Sequence, residues 1–448
     1  MKLGDSLTNI VSGMGTPKDK LSHSRFIPTL LTKFELDSLY SSDWLSGKII
    51  DAPADDMTRE WRQWSGGRRQ VSALLSEEKR LNVQQKVNHA LKLAALHGGA
   101  GIIIGDGSKD PSKPLDLGGI KRNGVKYLTV LSRWELNATD LDRDPLSEWY
   151  GEPKQYQLSG GDRIASLHPS RVVRFLGRPI LEQSNWVDGW GHSVLQRVYD
   201  AVRNVNVAAN NTASLTTEAK VDVFSIPGLN QNSIDPQYQR QIMARFGLAN
   251  MAKSNQNALL LDAQEKWEQK QVSFTALVDV LNKLLEIASG AADIPVTRLL
   301  GTSPKGLNAT GQADFRSYYD MLSGRQENSL SPAISRLDEA LIRSAIGSRP
   351  AGIDFEWRSL WQMTEAERAA IAVQRAQTAQ IYGALGALPP SVMRGCVTNQ
   401  LLEAGEYPGM RELLEKAEAT GEKAEPIITK AELGGNEVGA APTKVAKT

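Results

Sequence analysis

Two glycines in the stretch DIPVTRLLGTSPKGLNATGQADF, residues 293–315, have the spacing of a loop that binds nucleotide phosphates. Gly301 and Gly306 are separated by four residues, as in that loop. The phosphate-binding pattern then requires Lys followed by Ser or Thr, because these side chains contact the phosphate and the magnesium ion. Leu307 and Asn308 stand there instead, and a helical pattern rather than a strand precedes the loop. The sequence therefore predicts a shaped bend between two helices and no nucleotide site.

Two further motifs resemble hydrolase motifs but are incomplete. The sequence GDSL at 4–7 would supply Ser6 as a nucleophile, yet no strand can precede it and no histidine follows His192 to act as a late general base. A two-histidine phosphodiesterase needs two His-x-Ser/Thr units that face one phosphate as acid and base. The only unit of this kind is His168-Pro-Ser170. The residues therefore predict that the chain is not an enzyme.

Metal sites are not predicted either. Asp140, Asp142 and Asp144 alternate like the start of a calcium loop, but Pro145 replaces the required glycine and Gly151 replaces the bidentate glutamate. A polar turn is the expected structure.

The remaining histidines and the single cysteine give the same result. His89 and His97 lie eight residues apart on one predicted helix, too far apart to share a metal ion. Cys396 is the only cysteine, so an internal disulfide and a multi-cysteine site are excluded, which is typical of a chain that matures in a reducing cytosol. No metal and no cofactor is predicted.

Length and charge narrow the class of protein further. A chain of 448 residues is long enough for two or more lobes. Its 52 basic and 51 acidic residues nearly cancel, which argues against tight, non-specific binding to nucleic acid. No apolar run reaches membrane-spanning length and the N-terminus lacks a signal-peptide core, so we expect a soluble protein without a membrane partner.

Hydrophobic spacing predicts helices on both sides of a β-rich region. Ser76 followed by two glutamates predicts the start of a helix that ends at HGGAG, and GIIIGDG predicts a buried strand. Residues 125–180 are typical of short strands. A long helix is expected after Gly191 and a second one at roughly 275–290, with a small mixed module at 219–265 between them.

The region after the glycine-rich loop predicts a bent helix and a helical end. Apolar residues keep helical phase from Phe315 to Leu341, and Gly324 and Pro332 predict an interruption. The sequence GIDFEWRSL predicts a strand, and two helices follow it. From about residue 411 few large apolar side chains remain, so we expect a flexible tail after one last helix.

At AADIPVTRLLGTSPKGLNATGQADFRSYYDML the sequence resembles the portal proteins of tailed bacteriophages. The resemblance extends over roughly 30–405 and follows the order of the parts: IIDAPADDMTREW, HGGAGIIIG, a long helix, an inserted lobe, a second helix, then Ile294-Pro295 and the loop. It implies an α+β portal fold with a β-rich wing, long stem helices, a small α/β clip, a kinked channel helix and a helical crown.

The resemblance also implies a division of the chain into parts. These are a flexible N-terminal arm at 1–30, the wing at 31–190, stem helix 1 at 191–218, the clip at 219–265, stem helix 2 at 266–292, the channel loop and kinked helix with a return to the wing at 293–350, the crown at 351–410 and a flexible C-terminal tail at 411–448.

Site residues follow from this division as expectations. The resemblance implies that the loop and the next helix face a central channel, where DNA would meet Lys305, Asn308, Arg316 and Arg325. The loop would change shape at three glycines, Gly301, Gly306 and Gly311, because glycine permits backbone angles that other residues avoid. Partners would dock on the clip near Arg240, Arg245 and Lys253.

The implied function is that of a DNA passage. Portal relatives form closed homomeric rings of about twelve copies, placed at the capsid vertex of the virion after assembly in the host cytoplasm. Double-stranded DNA would pass during packaging and ejection. The implied partners are the large terminase, which would hydrolyse the ATP, the major capsid or scaffolding protein, and a head-completion or adaptor protein. Two alternatives stay open: a two-histidine phosphodiesterase, and an oligomeric scaffold that binds no DNA.

Overall fold

A computed structural model gives the fold of the chain in two compact units, Met1–Trp361 and Gln362–Thr448. The GDSL motif at 4–7 lies outside the described residues. No helix in the described ranges is both long and apolar enough to cross a membrane. The structure describes residues 30–138, 140–147, 149–158, 165–180, 189–217, 220–225, 236–244, 247, 266–271, 275–301, 311–361, 365–404, 407 and 409–420.

The first unit mixes helices with four small antiparallel sheets. Its helices are α1 (Lys33–Ser42), α2 (Trp44–Arg59), α3 (Arg68–Leu81), α4 (Val83–His97), α5 (Leu195–Thr217), α6 (Thr275–Ala292), α7 (Val296–Leu300), α8 (Gln312–Arg325) and α9 (Ser331–Ile346). Its strands are β1 (Arg62–Ser65), β2 (Gly99–Gly105), β3 (Tyr127–Ser132), β4 (Leu136–Ala138), β5 (Tyr156–Leu158), β6 (Ala165–Leu167), β7 (Val172–Leu176), β8 (Lys220–Ser225), β9 (Lys266–Gln271) and β10 (Asp354–Trp357). The predicted α+β class is confirmed.

The buried strand β2 forms the centre of the largest sheet. All seven residues of GAGIIIG are buried, and β2 pairs antiparallel with β3 on one side and with β7 on the other. Ile102 lies opposite Val130 and Val173 in the two ladders. The chain enters β2 through Gly98, whose φ of +87° and close approach to the Gly191 carbonyl exclude a side chain.

The helix before β2 differs from its prediction. Two helices, α3 and α4, occupy the region, and they are separated by Asn82 in the left-handed conformation with a φ of 52°. Ser76 therefore caps no helix; it lies inside α3, where its hydroxyl donates to the Ser72 carbonyl. The physical reason is that Asn tolerates the left-handed conformation that ends a helix.

The two long helices predicted around the inserted module are present and pack against each other. Leu195, Val198, Val202 and Val205 form the buried stripe of α5. Between α5 and α6 the chain forms the antiparallel pair β8–β9. Strand β9 occupies the first six residues of the range predicted for stem helix 2, so that helix begins at Thr275 instead.

The predicted interruption after the loop is a π-helical turn. Residues Gln326–Leu330 form this turn between α8 and α9, close to both Gly324 and Pro332. A π-helical turn inserts one extra residue into the helical path and bends the rod. The kinked helix predicted from the sequence is therefore confirmed.

The end of the chain divides differently from the predicted parts. Strand β10 pairs with β1, so residues up to Trp361 belong to the first compact unit although the predicted crown begins at 351. The second unit is helical and consists of α10 (Glu365–Ala384), α11 (Pro390–Ala404) and α12 (Met410–Thr420). Helix α10 packs on α11. The functional division into wing, stem, clip and crown stays a prediction.

A buried arginine joins β1 to α3 and α9. The Arg62 side chain has no exposed surface; its Nη2 lies 2.9 Å from Oε1 of Glu78 and its Nη1 lies 2.5 Å from Oδ1 of Asp338. Its guanidinium also lies over the rings of Trp64 and Phe355, 4.4 and 4.6 Å from their centroids. One positive charge thus serves two buried carboxylates.

This imbalance predicts a pH-dependent stability. Burial raises the pKa of Asp338 to about 6, Arg62 opposes the rise and Glu78 adds to it. Because the folded chain then holds this proton more tightly than the unfolded chain, the stabilising contribution is present at low pH and is lost as pH rises through 6. Between pH 5 and pH 7 we expect a loss of about 1 kcal/mol from this group.

Denaturant unfolding of the wild type and of Asp338→Asn at pH 5 and pH 7 measures this contribution. The variant carries no titratable group at this position, so the wild type should lose stability relative to the variant between the two pH values. A constant difference between the two proteins would contradict the shifted pKa.

Candidate functional site

The candidate site comprises the described residues on both sides of the glycine-rich loop, with the helix α2 that holds them. These are Asp293–Gly301 and Gly311–Arg325. Three residues assigned to this loop from the sequence, Lys305, Gly306 and Asn308, lie outside the described residues.

The two described glycines have backbone angles that favour glycine. Gly301 ends α7 with a φ of 72°, and Gly311 begins α8 with a φ of 61°. A Cβ on Gly301 would meet no atom of the described residues within 4 Å, and the positive φ is what favours glycine there. Their proposed role in changing the shape of the loop stays a prediction.

The two described arginines of the predicted DNA-contacting set are not brought together. Arg316 and Arg325 are nine residues apart on α8, which at 100° per residue places them on opposite sides of the helix. The Arg316 guanidinium lies over Trp361 at 5.8 Å, whereas Arg325 Nη2 lies 3.8 Å from Oδ2 of Asp293. The side chains of Arg316 and Arg325 therefore cannot both face the same surface.

A buried carboxylate connects the two sides of the loop. Asp56, on α2, is 2% exposed. Its Oδ2 accepts hydrogen bonds from Arg298 Nε at 2.9 Å and from the Tyr318 hydroxyl at 3.1 Å, and its Oδ1 accepts from Arg298 Nη2 at 3.1 Å. Arg298 lies on α7 before the loop and Tyr318 on α8 after it. One carboxylate therefore binds both flanks.

The pKa values of Arg298 and Tyr318 are both shifted, and contact with Asp56 contributes to each shift. The hydrogen bond to Asp56 raises the pKa of Arg298, with burial opposing the rise. Burial raises the pKa of Tyr318, and the charge of Asp56 raises it further, so the phenol remains a proton donor at neutral pH. The two donors to Asp56 are thus an arginine cation and a neutral phenol.

The residue after Asp56 holds the π-helical turn. Gln326, which is fully buried, donates from Nε2 to the Met57 carbonyl at 2.7 Å. The hydroxyl of Ser331 donates to the Gln326 carbonyl at 3.0 Å. Helix α2 therefore holds α7, α8 and the turn through two consecutive residues.

Sequence reasoning did not assign a role to Asp56, although a pattern pointed to it. Leu45, Ile49 and Ala52 lie on one buried face of α2, and Asp56 follows at the next position of the same stripe. A carboxylate at a core position is rarely buried without a partner. The pattern could have predicted a buried ion pair, but not that Arg298, 242 residues away, completes it.

The hydrolase-like histidine has a structural environment. His168 Nδ1 lies 2.9 Å from the Ser170 hydroxyl and accepts the Ser170 backbone N–H at 3.2 Å, which caps a short 3₁₀ turn. Burial, with Arg171 and Arg336, lowers the pKa of His168. The ring packs edge-on against Trp149.

The alternating aspartates form a turn. Asp142 accepts from the Asp144 backbone N–H at 3.0 Å and from the Ser147 hydroxyl at 2.5 Å. Within the ranges that the structure describes, no group of three or more His, Cys, Asp or Glu side chains could hold a metal ion.

The residues assigned to partner docking are mostly not described. Arg240 lies on a helical stretch at 236–244, is exposed, and donates from Nε to the Pro236 carbonyl at 3.2 Å. Arg245 and Lys253 lie outside the described residues.

This mixed α+β chain, with a kinked helix after a glycine-rich loop, matches a known family over most of its length. The family described as "Phage portal protein" matches residues 34–381. The chain therefore belongs to the phage portal protein family, and the resemblance seen in the sequence is confirmed.

Three curated proteins give the range of sequence similarity. A protein of Caulobacter sp. (strain RHG1) named "Anti-CBASS protein Acb1" is 45% identical over 429 residues, which cover 92% of this chain and 68% of that protein. A protein of the same name from Sphingomonas paeninsulae is 38% identical over 426 residues, 93% of this chain and 68% of that protein. An uncharacterized protein of Haemophilus influenzae is 28% identical over 364 residues, 80% and 82% of the two chains.

Solved structures show weaker similarity. A chain of the virion of a native gene transfer agent particle covers 88% of this chain and 98% of its own length with a TM-score of 0.48 and 14% identity. The match to an HK97 family phage portal protein from Corynebacterium diphtheriae covers 73% of this chain and 96% of that protein's chain, with a TM-score of 0.38 and 9% identity. The family assignment rests on the sequence match.

The Asp56 site predicts that loss of the Tyr318 hydroxyl destabilises the fold more than loss of the hydroxyl of the adjacent Tyr319. Tyr318→Phe removes a buried hydroxyl that donates to Asp56, so we expect the free energy of unfolding to fall by about 1 to 2 kcal/mol. Tyr319→Phe is the matched control, because its hydroxyl has no hydrogen bond within the described part of the chain. Denaturant unfolding of the two variants measures the effect, and equal losses would contradict it.

Proposed function

We propose that copies of this chain form a closed ring at the capsid vertex of a phage or phage-like particle, and that double-stranded DNA passes through its centre. The observation that carries this proposal is the match to the phage portal protein family over residues 34–381. The ring has about twelve copies, as in the portal proteins that the sequence resembles. A heterologous contact gives such a ring when the rotation between neighbouring subunits closes. It assembles in the host cytoplasm and becomes part of the virion.

The proposed ring has three kinds of partner besides DNA. The large terminase docks at the clip and supplies ATP hydrolysis, which agrees with the missing phosphate-binding residues after Gly306. The major capsid or scaffolding protein surrounds the wing, and a head-completion or adaptor protein joins the ring to the tail.

The charge of the loop region suits passage rather than retention. Residues 293–346 contain six basic and six acidic side chains. Three of the described arginines there have a carboxylate partner in the chain: Arg298, Arg325 and Arg343. Each uncompensated phosphate contact would make DNA binding stronger and more dependent on salt. A nearly neutral wall lets DNA slide.

Imaging and DNA retention of the purified particle test the proposal. Negative-stain electron microscopy should show a ring with a central hole, and retention of double-stranded DNA should change little between about 50 and 200 mM salt. Asp314→Lys/Asp320→Lys adds positive charge at two exposed positions of α8 and serves as the comparison. It should make retention salt-dependent.

Two results would overturn the assignment. A lone subunit at micromolar concentration would exclude a ring, and strong salt-dependent retention by the wild type would exclude a neutral passage. A ring that packages no DNA when supplied to assembling particles would favour the oligomeric scaffold instead.

We also propose that the chain itself is not an enzyme. The name shared by two relatives does not decide this, because about a third of each relative's length lies outside the match. His168 binds Ser170 within its own turn, and a phosphodiesterase of the two-histidine kind needs a second His-x-Ser/Thr unit, which the sequence lacks.

A phosphodiesterase assay tests this second proposal. With bis(p-nitrophenyl) phosphate as substrate, the wild type and His168→Ala should both show only the background rate. Hydrolysis by the wild type that His168→Ala abolishes would show that the chain is an enzyme.

A further inference from the structure

Three side chains reach the buried Asp56 carboxylate: Arg298 and Tyr318 donate hydrogen bonds to it, and Arg59 Nη1 lies 3.9 Å from its Oδ1. Tyr318 is 3% exposed and packs in the core against Tyr319, with ring centroids 5.5 Å apart. The Arg298 side chain is 34% exposed and that of Arg59 is 39% exposed, so solvent and ions reach both cations but not Tyr318. Arg59 stays beside the carboxylate when Arg298 withdraws, so release of Arg298 does not leave the buried Asp56 charge without a cation.

Helix α7, which carries Arg298, has few other attachments. It has five residues, too few for a helix that is stable by itself. Leu299 is its buried side chain, and the partly buried Leu300 packs against the same core. Lys48 on α2 donates to the Leu299 carbonyl at 2.9 Å. Gly301 ends the helix, and a Cβ built there would meet no atom of the described residues within 4 Å. The position of α7 thus depends on a small set of contacts, of which the ion pair to Asp56 is the charged, bidentate one.

We propose that Asp56 is a positioning residue that latches α7 to α2 and α8 through Arg298, and that releasing this ion pair frees α7 while Tyr318 keeps α8 in place. The position of one flank of the glycine-rich loop is then adjustable and that of the other is fixed. The consequence for DNA passage rests on the proposed function, whereas the latch itself is a property of the folded chain.

A purely structural Asp56 would behave differently from a latch. If Asp56 only stabilised the core, its loss would loosen every element packed around it to a similar degree. A latch loosens α7 and leaves distant elements, such as β2, unchanged. Ionic strength separates the two further, because salt weakens an ion pair whose arginine is one-third exposed, although less than a fully exposed pair, and has little effect on apolar contacts.

Hydrogen exchange of the full-length assembled protein, followed by mass spectrometry, tests the latch. In Arg298→Gln the amides of Val296–Gly301 should exchange about tenfold faster than in the wild type, and those of β2 should not change. Arg298→Lys keeps the charge without the bidentate geometry and should give an intermediate rate. Arg316→Gln, which removes an exposed arginine of α8 that does not contact Asp56, is the matched control and should match the wild type.

Salt provides a second readout. Raising ionic strength from about 0.05 to 0.5 M should speed exchange at α7 in the wild type and have no further effect in Arg298→Gln. Asp56→Asn removes the charge on the other side of the pair and should also speed exchange at α7; if this variant does not fold, Arg298→Gln alone carries the test. Unchanged exchange at α7, or an equal increase at α7 and β2, would refute the latch. Faster exchange at α7 with normal DNA packaging would support the latch and refute a role for its position in DNA passage.

Discussion

A charge that is buried must meet an opposite charge inside the protein, and the stretch from Asp56 to Arg62 buries two of them. Asp56 is 2% exposed and binds Arg298 and Tyr318, whereas Arg62 has no exposed surface and binds Glu78 and Asp338. An unpaired charge at either position would oppose folding strongly. These two residues therefore require Arg298, Tyr318 and Asp338, which are distant in the chain, to pack on the N-terminal helices.

This requirement organises the first unit. Helix α2 and strand β1 form one continuous stretch, and through it the long helices α5 and α6, the kinked helix and the central sheet share a common support. Aromatic rings surround the buried guanidinium, which replaces part of the hydration that Arg62 loses. The kinked helix is thus held at three places. Asp56 binds Tyr318 on α8, the Met57 carbonyl binds Gln326 in the π-helical turn, and Arg62 binds Asp338 on α9.

The same arrangement leaves one element weakly attached. Helix α7 is short and lies between a proline and a left-handed glycine, and a partly exposed ion pair holds it. The chain belongs to the phage portal protein family. The two helices beside its glycine-rich loop, α7 and α8, differ in how firmly the core holds them. In the DNA passage and the latch that we propose, a firmly held long helix lies beside a short helix whose position can change.

The sequence by itself determined the family through its resemblance to portal proteins. It also determined the α+β class, the two long helices, the buried strand at GIIIG and the kink between Gly324 and Pro332, because periodicity and backbone-restricting residues act locally. It placed the start of a helix at Ser76 and missed the break between α3 and α4 at Asn82, since a single asparagine does not by itself predict the left-handed conformation. It placed Arg316 and Arg325 in one set, although helical geometry sets them on opposite sides. Only the tertiary structure decided that Asp56 meets Arg298 and Tyr318, because a pairing across 242 and 262 residues depends on how the chain returns to its core rather than on any local pattern.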